Sequence, residues 1–193
     1  MAGIKQRAGV CVMRKKVAIQ GFSGSYSEEA VEKMLHDDFE VLSFFNFEDA
    51  FRSVLCGEAD CGVFPIQNKI VGNINQTISL IEKTGLKVYE QLKLRIEHVL
   101  VGTPNSELEQ VKFVHSQKEA LLQCKGFFLR NPRLKQVESS DTALSVKEIM
   151  QRGLPENAAI ASRRAVLAYE ARILCEDIAD DPENWTLFCL VGR

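Results

Sequence analysis

Short apolar runs of strand length alternate with amphipathic stretches of helical period along nearly the whole chain, and this alternation most restricts the folds open to it. Residues 16–20 (KVAIQ) are an apolar run closed by the glycine-containing loop 21–24. Ser25 follows, with Glu28 three residues on, the pattern of a capped helix start. A second run at 41–44 leads to Asn46 and then to Phe47, Ala50, Phe51, Val54 and Leu55 at helical spacing, stopped by Gly57. A third run, 61–65, precedes a mostly polar loop and a helix predicted from about residue 75 to Gly85. Strands are predicted near 87–91 and 95–102, the second carrying the chain into a new lobe. There the alternation restarts: a strand at 111–114, a helix opened by Ser116 with Glu119 and running to Arg130, and a strand at 134–137. A helix opened by Ser140 or Asp141 ends at Gly153, and a strand at 158–161 leads to a short helix from Ser162. The final apolar run, 185–191, returns to the first lobe. The expected organisation is therefore two α/β lobes, 14–95 with 172–193 and 96–171, joined by a double crossover with a ligand cleft between them.

Composition narrows the function classes. A formal net charge of −2 gives no reason to expect nucleic acid or an anionic membrane as partner. No run approaches the length of a membrane span. The six cysteines form no CxxC pair and mostly sit in apolar runs, which reads as reduced, buried thiols of a cytoplasmic protein rather than a disulfide framework. The three histidines are dispersed, so neither a metal centre nor a cofactor is expected. Residues 1–13 lack the apolar core of a signal peptide and are expected to be a disordered extension.

The loops between these elements carry the functional signal. GFSGSYSEEA (21–30) resembles the opening loop GPxGTFSxxA of prephenate dehydratases, and CGVFPIQNKIVGNINQT (61–77) is similar to the family segment PIENSxxGxVxxT. SQKEALLQC (116–124) is similar to SHPQALxQC, and SSDTALSV (139–146) to SSTAxAA. AAIAS (158–162) matches directly, and ENWTLFCLVG (183–192) stands where the family has NxTRFLVLG. Six blocks in family order, over about residues 16–192, identify the chain as resembling that family. The resemblance implies a two-lobed fold like the type II periplasmic binding proteins and a lyase that turns prephenate into phenylpyruvate, water and carbon dioxide in phenylalanine biosynthesis. It also implies a homodimer or higher homo-oligomer. The ending at Arg193 leads us to expect the catalytic domain without the family's ACT regulatory domain.

That reaction needs a site that holds a dianion, dehydrates the departing carboxylate and protonates the leaving hydroxyl. The helix openings at Ser25, Ser116, Asp141 and Ser162 offer amides for the carboxylates. By resemblance Thr186 is the catalytic proton donor, and Ser25, Ser27, Asn68, Thr142 and Phe188 belong to the substrate pocket. Read without the resemblance, Thr186 is a strand threonine, Asn68 a turn residue, and Ser25, Ser27 and Thr142 cap or open helices. Cys124 reads as core; His98 matches a family histidine in a structural or a functional role. Departures stand in four of the signature loops: Leu187 for arginine, Gln67 and Lys69 for glutamate and serine, Gln117-Lys118 for His-Pro, and Asp141 for serine. Removing an arginine strands any carboxylate paired with it, so Gln67 and Leu187 are expected to be neighbours. Lys69 is expected to supply the missing positive charge to substrate. Three readings follow: a dehydratase, a prephenate decarboxylase that keeps the ring hydroxyl, and a non-catalytic module binding a carboxylated metabolite.

Overall fold

The first strand, β1 (Lys15–Gln20), shows how the sheets are layered. Val17, Ala18 and Ile19 are all fully buried, so both faces of the strand are covered and the run is continuously apolar. Period-two alternation sends Val17 and Ile19 to Ala30, Val31 and Met34 of α1 (Tyr26–Met34). It sends Ala18 to Ala50, Phe51 and Val54 of α2 (Phe47–Cys56) on the other side. The computed structural model describes residues 14–36 and 38–193, and the expected extension 1–13 lies outside the described residues.

Lobe one is built on a six-stranded sheet. With β2 (Phe39–Phe44), β3 (Cys61–Asn68), β5 (Lys87–Arg95) and β11 (Trp185–Gly192), its order is β2-β1-β3-β11-β5. The two-residue β4 (Gly72–Asn73) folds back on β3 ahead of α3 (Asn75–Thr84). Lobe two holds β6 (Val99–Gly102), β7 (Phe113–Ser116), α4 (Lys118–Gln123), α5 (Lys125–Arg130) and β8 (Lys135–Glu138). It continues with α6 (Thr142–Arg152), β9 (Asn157–Ala161), α7 (Arg163–Ala168) and β10 (Arg172–Cys175), and its sheet order is β10-β6-β9-β7-β8.

Both sheets follow one plan. In each, the strand contributed by a crossover is inserted antiparallel between neighbours: β11 between β3 and β5, and β6 between β9 and β10. This is the two-lobed, periplasmic-binding-protein-like (type II) α/β arrangement expected from the sequence. The connecting segments 96–98 and 176–184 run side by side. Ile96 N–H donates to the Asn184 carbonyl at 2.9 Å, and Ile178 N–H to the His98 carbonyl at 3.3 Å.

Three local expectations are corrected. Residues 172–175, placed in lobe one, pair antiparallel with β6 in the second sheet, so the return crossover starts after Cys175. Ser116 does not cap a helix: its hydroxyl donates to the Ile160 carbonyl at 2.8 Å, and the helix begins after Gln117 without a side-chain cap. The helix expected to reach Arg130 is broken at Cys124, where φ and ψ are −115° and 25°. The other helix starts form as read. Ser25 accepts from Glu28 N–H at 3.3 Å, Asn46 from Asp49 N–H at 2.8 Å, and Asp141, rather than Ser140, from Leu144 N–H at 2.7 Å.

The lobes also touch directly beside the crossovers. Ser162 Oγ accepts from Ala165 N–H at 3.1 Å and donates across the interface to the Gly24 carbonyl at 2.7 Å. Gly24 sits at φ +86°, and a Cβ there would fall 2.6 Å from Ala165 Cα, so the contact requires glycine. Arg164 completes it with Glu28 at 3.1 Å and with Glu32.

Candidate functional site

Between the lobes lies a cleft of about 480 Å³. Lobe one turns helix starts toward it: Ser25, Tyr26 and Ser27 of α1, Asn46 and Phe47 of α2, and Ile74 and Gln76 of α3. Lobe two contributes α4, through Gln117, Glu119 and Gln123, and the start of α6, through Asp141 and Thr142. Thr186 and Phe188 face it from β11, and Pro65 and Asn68 from β3.

Strand geometry explains that last set. Alternation along β11 puts Thr186 and Phe188 on one face and Leu187 on the other. On β3, Asn68 pairs with Thr186 and Gln67 with Leu187, but Phe188 pairs with Pro65, so the register slips past Ile66. This bulge lets Pro65 and Asn68, three residues apart, both reach the cleft.

Asn68, nearly buried, fixes the chemistry of Thr186. Its Nδ2 donates to Thr186 Oγ1 at 3.0 Å, to the Trp185 carbonyl at 2.9 Å and to Asn184 Oδ1 at 3.2 Å. Its Oδ1 accepts from the N–H groups of Ile70 and Val71 at 2.9 and 3.0 Å, which pins the following loop. Because Thr186 Oγ1 is an acceptor from Asn68, its own proton is left to donate elsewhere, and the residue faces the cleft.

The hydrogen bonds continue to His98, noted in the sequence, through Asn184 and Gln123, which the sequence did not single out. Asn184 Nδ2 donates to Gln123 Oε1 at 3.1 Å, and Gln123 Oε1 lies 2.7 Å from His98 Nε2. His98 Nδ1 lies 3.3 Å from the Tyr26 phenol oxygen, whose single proton is given to the Glu97 carbonyl. With Gln123 Oε1 accepting from Asn184, His98 carries its proton on Nε2. Burial lowers the His98 pKa, partly opposed by the Gln123 hydrogen bond, so the ring is neutral. Burial likewise raises the Tyr26 phenol well above its ordinary value. A polar chain thus runs from Thr186 through both connecting segments into lobe two and back to α1. Gln123 had a signal in the QC of its sequence block, but a glutamine on a helix reads as a solvent-facing residue.

The remaining predicted residues separate into two groups. Ser25, Ser27, Asn68, Thr142, Thr186 and Phe188 all border the cleft. Lys69 does not line it: its Nζ lies 2.7 Å from Asp181 Oδ2, an ion pair that holds the Asp181 carboxyl below its usual range. Gln67 and Leu187 are register partners, as expected, but they line a smaller hollow of about 290 Å³ behind the sheet with Ile66, Ile78, Ile81 and Glu82. The departure at Leu187 therefore removes nothing from the cleft wall. Among the described residues lining the cleft there is no lysine or arginine, and the charged side chains are Glu119 and Asp141. Asp141 is buried, and burial raises its pKa against the lowering effect of the Leu144 and Ala143 amides.

The chain and its fold have counterparts among known proteins. A family model described as prephenate dehydratase matches residues 17–193. Arogenate dehydratase/prephenate dehydratase 1, chloroplastic, of Arabidopsis thaliana is 33% identical over 178 residues, covering 92% of this chain and 45% of that protein. The chain spans about half the length of the curated relatives it matches. Prephenate dehydratase from Arthrobacter aurescens, solved in complex with L-Phe, superposes with a TM-score of 0.85 at 28% identity over 92% of this chain and 60% of that one. A structure described as GqqA, a novel type of quorum quenching acylase, superposes with a TM-score of 0.82 at 26% identity, over 93% and 64% of the two chains.

Proposed function

The chain belongs to the prephenate dehydratase family, and from that premise we propose that its interlobe cleft carries out the decarboxylating dehydration of prephenate or a close ring analogue, with Thr186 as proton donor. The ring carboxylate leaves as carbon dioxide. The electron pair of its carbon–carbon bond moves into the ring, which becomes aromatic as the carbon–oxygen bond to the ring hydroxyl breaks. The departing oxygen takes the Thr186 proton and leaves as water, and Thr186 recovers a proton from solvent. Helix starts at Ser25–Ser27 and Thr142 face the cleft, where amides and dipoles favour carboxylates. Phe188 and Pro65 supply apolar wall, and an apolar wall favours loss of hydration from the departing carboxylate.

The observation that carries this reading is the Asn68–Thr186 pair, which leaves the hydroxyl proton directed away from its own strand partner. The decarboxylase reading drew on the missing arginine, and Leu187 lies behind the sheet, so nothing in the cleft favours it. Lys69 in this account holds Asp181 and the loop before β11, rather than substrate. Cys61, Cys124 and Cys189 are buried free thiols, which supports action in a reducing compartment such as the cytoplasm. Self-association as a homodimer or larger belongs to the same reading and is checked by sedimentation.

The test is turnover of prephenate to phenylpyruvate by the protein and by Thr186→Val. The variant should lower kcat by about 10²–10⁴-fold, the range of general acid catalysis, with KM changed little. Thr186→Ser should retain most turnover. Undiminished kcat in Thr186→Val would remove Thr186 from the chemistry.

A further inference from the structure

The cleft has an unusual charge pattern for a dianion site. Its formal charges are the carboxylates of Glu119 and Asp141, both from lobe two, and no lysine or arginine among the described residues lines it. The family forms quoted above carry neutral residues at both places: SHPQAL has glutamine where this chain has Glu119, and SSTA has serine where it has Asp141. A keto diacid would bring two negative charges against this wall with only amide dipoles to hold them. A substrate that replaced the side-chain ketone by an ammonium group would keep its two carboxylates for the helix starts of lobe one and give the acidic wall a partner.

We propose that Glu119, seconded by Asp141, is a specificity-determining residue that selects the α-amino form of the cyclohexadienyl substrate over the α-keto form. The proposal rests on the dehydratase reading of the cleft. Glu119 is exposed on the cleft-facing side of α4, reachable by an incoming ammonium group, whereas Asp141 is buried at the start of α6. Asp141 Oδ1 is occupied by the Leu144 amide; Oδ2 lies 3.4 Å from where a Cβ on Gly21 would stand, so it is turned toward lobe one. Lys118 beside Glu119 and the nearby Lys69 do not offset this charge, since neither lines the cleft. An ammonium carried between the lobes would therefore meet carboxylate from the lobe-two side while its carboxylates face the helix starts opposite.

The experiment compares arogenate and prephenate, the amino and keto forms, with the intact protein and with Glu119→Gln, which restores the family residue. The intact protein should show a kcat/KM about tenfold to a hundredfold higher for the amino form, a modest range because Glu119 is solvent-exposed. Glu119→Gln should lower that value about tenfold, mainly through KM, and raise kcat/KM for the keto form as repulsion is relieved. A preference for the keto form in the intact protein, or an equal loss for both forms in Glu119→Gln, overturns the proposal. Should neither form be turned over, the dehydratase reading fails, and calorimetric titration with the same two compounds still decides the present one. Tighter binding of the amino form, weakened by Glu119→Gln, upholds selection by the acidic wall. Equal or absent binding overturns it.

Discussion

Thr77 and Asn68 stand nine residues apart in one segment and show two opposite fates of a buried polar side chain. Asn68 bonds through both halves of its amide and ties Thr186, Asn184 and the loop at Ile70 into one unit. Thr77, fully buried in α3, has a hydroxyl with no hydrogen-bond partner among the described residues. An unmet buried hydroxyl costs about 1–3 kcal/mol, and an apolar group of the same shape removes that cost. Thr77→Val is therefore expected to leave the fold intact and to be neutral or stabilising by about 1 kcal/mol in urea unfolding. A clear loss of stability would mean that the hydroxyl is bonded. At this scale the sequence showed the residues carried by signature blocks in a recognisable order, Asn68 and Thr186 among them. The roles of Gln123 and Asn184, although both stand in signature blocks, were not visible, because the two meet only when the connecting segments bring residues 61 positions apart together.

Elements were legible where the information is local. Caps at Ser25, Asn46 and Asp141 depend on a side chain and an amide three residues on, and all three form. Ser116 has the same spacing with Glu119, yet its hydroxyl goes to the Ile160 carbonyl on the neighbouring strand, a competitor that local spacing does not reveal. Likewise 172–175 reads as a short strand without saying which sheet it joins; β6 decides that. The loop from β1 to α1 gives a sharper test. Gly24→Ala would force a Cβ to 2.6 Å from the backbone of α7 while holding a left-handed φ, and should cost about 2–4 kcal/mol in thermal unfolding. Adding Ala165→Gly should not rescue it, because the closest contact is with Cα rather than with the methyl group. Full rescue by that second change would show that the backbones are not in contact there.

For the whole molecule, two lobes and two crossovers followed from the alternation, and the cleft from the crossovers. The exact return point did not, since it is set by pairing between distant strands. His98 lies in one connecting segment, neutral and enclosed by Tyr26 and Gln123. Its folded pKa is depressed, so as pH falls the unfolded chain takes up this proton first, near the ordinary value of about 6.5. Its effect on stability is absent above that pH. Stability falls as pH drops below it, by at most about 1.4 kcal/mol per pH unit, until the buried ring itself protonates. Melting temperatures taken between neutral pH and about pH 5 should fall faster than those of His98→Gln. Parallel curves would assign the acid sensitivity to other groups.

The inserted strands bear on how the protein is made. Every strand of the second sheet lies between Val99 and Cys175, so that lobe has all its strands once translation has passed them. The first sheet still lacks β11 at that point of the chain, and without it the inner edges of β3 and β5 have no strand partner for their amides and carbonyls. The sheet whose strands begin the chain therefore needs the last-made strand to be complete. A chain stalled before Trp185 would offer two strand edges to a chaperone, or to the same gap in a neighbouring nascent copy.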